Sequence, residues 1–116
     1  MEVSRGDVVL CIVSGDYGKV RPAVVVQSDL YNPTHASVVI CPLTTHLVAA
    51  PFFRIPIKPS ALNNLQAESQ VMVDKITALR RDRLRDRIGK LRSSDLSKID
   101  HALREWLGLD SIREVD

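Results

Sequence analysis

Aromatic residues are scarce, at 4% of the chain. That argues against a broad base-stacking platform of the kind single-strand binders lay out. Cysteine is scarcer still, with only Cys11 and Cys41. Two thiols supply neither a disulfide framework nor a four-ligand zinc site. Each sits inside an apolar run and reads as a buried thiol in a reduced cytoplasm. The three histidines, His35, His46 and His101, make no metal-spacing pair, so no metal and no other cofactor is expected. The phosphate-binding glycine loop, HExxH and GxSxG are all missing. No apolar run is long enough to cross a bilayer, since residues 8–13 and 23–26 are strand-length. The opening MEVSRGD lacks the basic-then-apolar pattern of a signal peptide. The expectation is a cytoplasmic protein with no membrane partner.

What is present is an ordinary globular composition. The 116 residues are 45% hydrophobic, which suits one domain over residues 1–116 with a modest core. The net charge of +2 neither demands nor excludes a polyanion. Apolar runs predict strands over 8–13, 21–27 and 36–41, the first buried on both faces. A loop over 14–19, SGDYGK, joins the first two in a hairpin. Further strands are expected over 51–57, 69–73 and 75–79, with a last short one within 87–91; Pro51 and Pro56 suggest that the fourth is bent or at an edge. Leu96, Ile99, Leu103, Trp106 and Leu107 form one stripe at helical period, which predicts a helix over 94–107. Ser93 or Ser94 would cap its start and Gly108 its end. Trp106 reads as a core anchor of that face. The fold class is therefore mainly β: a small, curled antiparallel sheet or partly open barrel of five to seven strands with a C-terminal helix.

Chemistry-bearing residues collect at the ends of apolar strands, where functional groups are displayed. Arg21, in GKVRP at the base of the hairpin, suits two-point contact with a phosphate. It equally suits a structural pair with a carboxylate. Thr44, in the triplet Thr44-Thr45-His46, offers a hydroxyl to a phosphoryl oxygen or satisfies a turn. Asp74, between two apolar runs, is a base or a turn residue. Residues 80–92 hold six arginines and one lysine against two aspartates, a surplus of five. That surplus exceeds the net charge of the whole chain, so the tract suits a phosphate backbone, an acidic peptide or a solvated face.

In order and spacing, these segments resemble the MazF/PemK toxin family over nearly the whole chain. The residues that carry the resemblance are RGDV at 5–8, GKVRPAVVVQSD at 18–29, CPLTT at 41–45, SQVMVDKI at 69–76 and the LSKIDHALREWLGL helix. The resemblance implies an SH3-like barrel with a C-terminal helix, dimeric, acting as a bacterial toxin of a type II toxin–antitoxin system. It implies metal-independent, sequence-selective cleavage of single-stranded RNA, chiefly messenger RNA. The family's catalytic arginine maps onto Arg21 and its threonine onto Thr44. Asp74 matches the carboxylate of an Arg-x-Asp arrangement in a related branch, whereas Met72 stands where that branch has arginine. Tyr17, Lys19, Thr45, His46, Lys75, Arg80 and Arg81 are the residues assigned to holding RNA. The implied partners are a second copy of the chain and an antitoxin with an acidic, flexible tail, and the toxin–antitoxin complex would bind DNA. Two other functions suit the same fold: a CcdB-like gyrase poison, and an inactive module that binds only RNA or antitoxin.

Overall fold

A computed structural model describes residues 1–13 and 18–109. Among these residues, seven strands and one α-helix follow one another. They are β1 (Asp7–Ile12), β2 (Val20–Val25), β3 (Ser37–Thr44), β4 (Arg54–Ile57), β5 (Ser69–Met72), β6 (Thr77–Arg80), β7 (Leu84–Lys90) and α1 (Ser93–Leu107). The sheet runs β4-β5-β3-β2-β1-β7, with β6 also paired to β3. Every pairing is antiparallel. Strand β3 is the hinge of this arrangement: Ser37–Ile40 pairs with β6, whereas Leu43 and Thr44 pair with β5.

β-Branched residues make up half of β1, β2 and β3, and β1, the second half of β2 and most of β3 are buried on both faces. Val8, Val24, Cys41, Leu43 and Val71 form one cluster with Ile99, Ala102 and Leu103 of the helix. Val9, Cys11, Ala23, Val25, Val38 and Ile40 form a second with Val3, Leu79 and Leu84. Alternation at period two sends successive residues to opposite faces, so Cys11 and Cys41 belong to different clusters. Both thiols are buried. Burial pushes the Cys41 thiol up to about 12, which keeps it protonated.

The helix differs from the sequence expectation at its start and in the place of Trp106, while Gly108 closes its end as expected. Neither Ser93 nor Ser94 caps it; Arg92 is the N-cap and makes no side-chain cap bond. Its carbonyl accepts from the amides of Asp95 and Leu96 at 3.1 Å each. Gly108 closes the other end in the left-handed region at φ 69°. Trp106 is not a core anchor. It is 47% exposed, whereas Ile99, Ala102 and Leu103 form the apolar part of the buried face of α1. One face of its ring instead tilts against Phe53 at 5.3 Å.

Two charged pairs tie the chain ends to this frame. Arg5 pairs bidentately with Asp100 of the helix and donates to the Val26 carbonyl. Asp7, almost fully buried, forms an ion pair with the Arg87 guanidinium, Nε to Oδ2 at 3.1 Å. The segment between β4 and β5 is also built rather than loose. The buried Asn63 amide donates to the Lys58 carbonyl and accepts from the amides of Ser60 and Leu65. Asn64, with φ 55°, donates to the Ile88 carbonyl on β7. The segment lies so close to β7 that a Cβ at Gly89 would sit 2.4 Å from the Leu62 carbonyl oxygen.

Candidate active site

The ends of β2, β3 and β5 meet around a cleft of about 660 Å³. Arg21 and Pro22 come from β2, Leu43, Thr44 and Thr45 from the end of β3, and Met72, Lys75 and Thr77 from the β5–β6 connection. The register explains the meeting. Ala23 is opposite Pro42 and Thr44 is opposite Gln70, so the starting ends of β2 and β5 converge where β3 stops. The 3-10 turn Val73–Lys75 then swings Lys75 back to the rim. The cleft therefore presents a guanidinium, an ammonium and hydroxyls over an apolar floor.

Thr44 is half-buried, and its Oγ1 accepts the His46 amide proton at 3.1 Å. That bond fills one lone pair and leaves the hydroxyl proton to donate outward. The segment after Thr44 is held by buried Gln70, whose amide accepts from Val48 N–H at 3.1 Å and donates to Val48 C=O at 2.8 Å. Gln70 was legible only as a polar residue inside a strand-like run; its partner lies 22 residues away.

Asp74 is not on the cleft wall. Arg54 of β4 grips it, Nε to Oδ1 at 2.8 Å and Nη2 to Oδ2 at 3.1 Å. Both side chains are largely covered, at 13% and 17% exposed. The guanidinium beside it holds the Asp74 carboxyl below its ordinary value, against a smaller upward push from burial. An acceptor already filled on both oxygens and weakened in basicity is a poor proton acceptor for substrate. Arg54 stands opposite Met72 in the β4–β5 register. The arginine that pairs with Asp74 thus comes from the neighbouring strand, and Met72 faces the cleft instead. No local signal in the sequence links Arg54 to Asp74.

The residues assigned to RNA divide in the same way. Thr45 and Lys75 line the cleft. Lys19 is exposed two residues before Arg21, and His46 is exposed just beyond Thr45. Tyr17 lies outside the described residues. Arg80 and Arg81 are not brought to the cleft: Arg80 pairs with Ser37 at the far end of β3, about 23 Å along the strand from Thr44. Arg80 is engaged by Asp82, and Arg81 donates to the carbonyls of Met1, Asn32 and His35. Arg87 and Arg92 pair with Asp7 and Asp95. Within the basic tract, Arg81 and Arg87 thus fasten distant chain segments, whereas Arg80, Arg85 and Arg92 bond to near neighbours in sequence. Among the described residues, no three His, Cys, Asp or Glu side chains converge as a metal site.

The PemK-like, MazF-like toxin family of type II toxin–antitoxin systems matches residues 4–107. The chain belongs to that family. It is 39% identical over 106 residues to a probable endoribonuclease MazF of Mycolicibacterium smegmatis, covering 90% of this chain and 96% of that one. Among solved structures, it is similar to a mycobacterial endoribonuclease in complex with its cognate antitoxin, with TM-score 0.76 and 28% identity over 94% of this chain and 98% of that one. Its fold also matches the Mycobacterium tuberculosis toxin MazF-mt6, with TM-score 0.78 and 22% identity over 90% of this chain and 99% of that one. The family's fold is the seven-stranded antiparallel sheet with a C-terminal helix described above.

Proposed function

We propose that this chain is the toxin of a type II toxin–antitoxin pair and acts as an endoribonuclease on single-stranded RNA. The observation that carries the reading is the convergence of Arg21, Thr44 and Lys75 on one open cleft. Family membership and the endoribonuclease names of the relatives support it.

The substrate's own 2′-hydroxyl is the nucleophile. Its oxygen bonds to the neighbouring phosphorus and the bond to the 5′-oxygen breaks, leaving a 2′,3′-cyclic phosphate and a 5′-hydroxyl. The nucleophile is already tethered beside its target, so positioning and charge stabilisation do most of the work. Arg21 meets the charge that builds on the non-bridging oxygens, because a guanidinium keeps its proton and offers a planar pair of donors. Thr44 donates its outward hydroxyl proton to one of those oxygens. Lys75 adds charge at the rim and holds an adjoining phosphate. The 2′-hydroxyl proton goes to water or to His46, and a proton from water completes the 5′-hydroxyl. Asp74 takes no proton in this scheme. It is a positioning residue: paired with Arg54, it fixes the turn that carries Lys75.

The same cleft would bind DNA without cutting it, since DNA has no 2′-hydroxyl. The proposed partners are a second copy of the chain and an antitoxin with an acidic, flexible segment that closes over the basic rim. Incubation with a long single-stranded RNA tests the reading. Wild-type protein should fragment it and Arg21→Ala should leave it intact while keeping its fold. Intact RNA with both proteins would favour the gyrase-poison or inactive-module alternative.

A further inference from the structure

A second groove, about 620 Å³, shares Pro22, Thr45 and Ser69 with the cleft. Its floor is apolar, with Leu10, Leu65 and Ile88, and its rim carries Asn64, Gln66, Asp86 and Arg87, the last paired with Asp7. Pro22 pairs with Leu10, and Leu10 pairs with Asp86, so the three stand in one row across β2, β1 and β7. At about 4.8 Å per strand, Asp86 stands about 10 Å from the cleft side of that row. This is one to two nucleotide steps along a strand.

The rim is rich in acceptors. Asp86 is exposed and makes no hydrogen bond among the described residues; neither does the Gln66 amide. Asn64 donates its NH₂ to Ile88 C=O, which turns its own oxygen into the remaining acceptor. The opposite wall is the segment pinned by Asn63 and by the contact at Gly89. A segment this firmly fixed against β7 gives the groove a defined width rather than a loose flap.

We infer that this groove holds one base of the bound strand beside the scissile phosphate, and that Asp86 with the Asn64 oxygen selects guanine. Among the bases, guanine alone presents two adjacent donors, N1–H and N2–H, on its pairing edge, which matches a carboxylate bidentately. Uracil would set its carbonyl oxygens against the same carboxylate. The apolar floor takes the base face, and Gln66 is left to meet the guanine O6. Single-stranded RNA is read through unstacked bases in this manner. The inference rests on the nucleic-acid reading of the cleft.

Equilibrium binding tests it apart from catalysis. The probes are octathymidylate and its versions with one central guanine, hypoxanthine, adenine or cytosine, all uncut because they are DNA. Wild-type protein should bind the guanine probe about tenfold or more tighter than the hypoxanthine probe, which lacks only the N2 amino group. Asp86→Asn should bring the two probes to equal affinity. Equal affinities in the wild type, or discrimination that survives in Asp86→Asn, would overturn the inference. RNA left uncut would count against the nuclease chemistry alone.

Discussion

Replacing Asp74 with asparagine separates a positioning role from a catalytic one. The substitution keeps the shape and removes the charge that Arg54 grips through two bonds of 2.8 and 3.1 Å. A charge-assisted hydrogen bond is worth about 1.5–3 kcal/mol. Stranding the partner of a covered pair costs about 3–5 kcal/mol. Arg54 is still 13% exposed and can turn toward water, so the lower end applies, about 2 kcal/mol. For a chain of this size that is a fall in Tm of about 8 °C. The pH dependence has a definite sign. The folded carboxyl is held below its ordinary value of 3.8, so its stabilisation is fully present above that value and is lost as pH falls through the lower folded one. The gap in stability between wild type and Asp74→Asn should therefore be full at neutral pH and shrink below about pH 4. Urea melts at several pH values measure it. Cleavage at neutral pH and moderate temperature should fall by about tenfold or less, through a displaced Lys75. Loss of all cleavage with an unchanged melt would refute this reasoning and make Asp74 a catalytic group.

Thr44→Val keeps the volume and loses the outward donor, so kcat should fall by about 100-fold with the thermal melt unmoved; an unchanged rate returns Thr44 to a purely structural role. Gly89→Ala places a methyl against the Leu62 carbonyl and should cost about 2 kcal/mol in a denaturant melt; a neutral result would mean that the segment before β5 yields easily. Cleavage should persist in EDTA, and activity restored only by added magnesium would reverse the assignment of a metal-free reaction. His46→Gln should remove one inflection from the pH–rate profile if His46 takes the 2′-hydroxyl proton, and an identical profile assigns that proton to water.

The helix stripe, the hairpin of β1 and β2 and the strand content were legible because each is a local, periodic pattern. The ends of elements were not. The third strand is expected over 36–41, yet β3 runs on through Pro42 to Thr44, because its edge there pairs with β5. The last strand is expected within 87–91, yet β7 begins at Leu84 and pairs with β1, with register shifts between Val8 and Val9 and between Leu10 and Cys11. Arg21 and Thr44 could be named from strand ends and family resemblance, and the register of β2, β3 and β5 explains why they share a cleft. The grip of Arg54 on Asp74 spans 20 residues, and that of Arg81 on Met1 spans 80. Such contacts leave no local trace, which is why the charge surplus over 80–92 left a ligand surface and a solvated face both open, while Arg81 and Arg87 prove to fasten distant segments.

Mapping both ends of the fragments from a defined single-stranded RNA tests the central claim most directly. The arrangement of Arg21, Thr44 and Lys75 predicts cuts that leave a 2′,3′-cyclic phosphate and a 5′-hydroxyl, absent with Arg21→Ala. Fragments bearing 5′-phosphates, or the same fragments from Arg21→Ala, would contradict it.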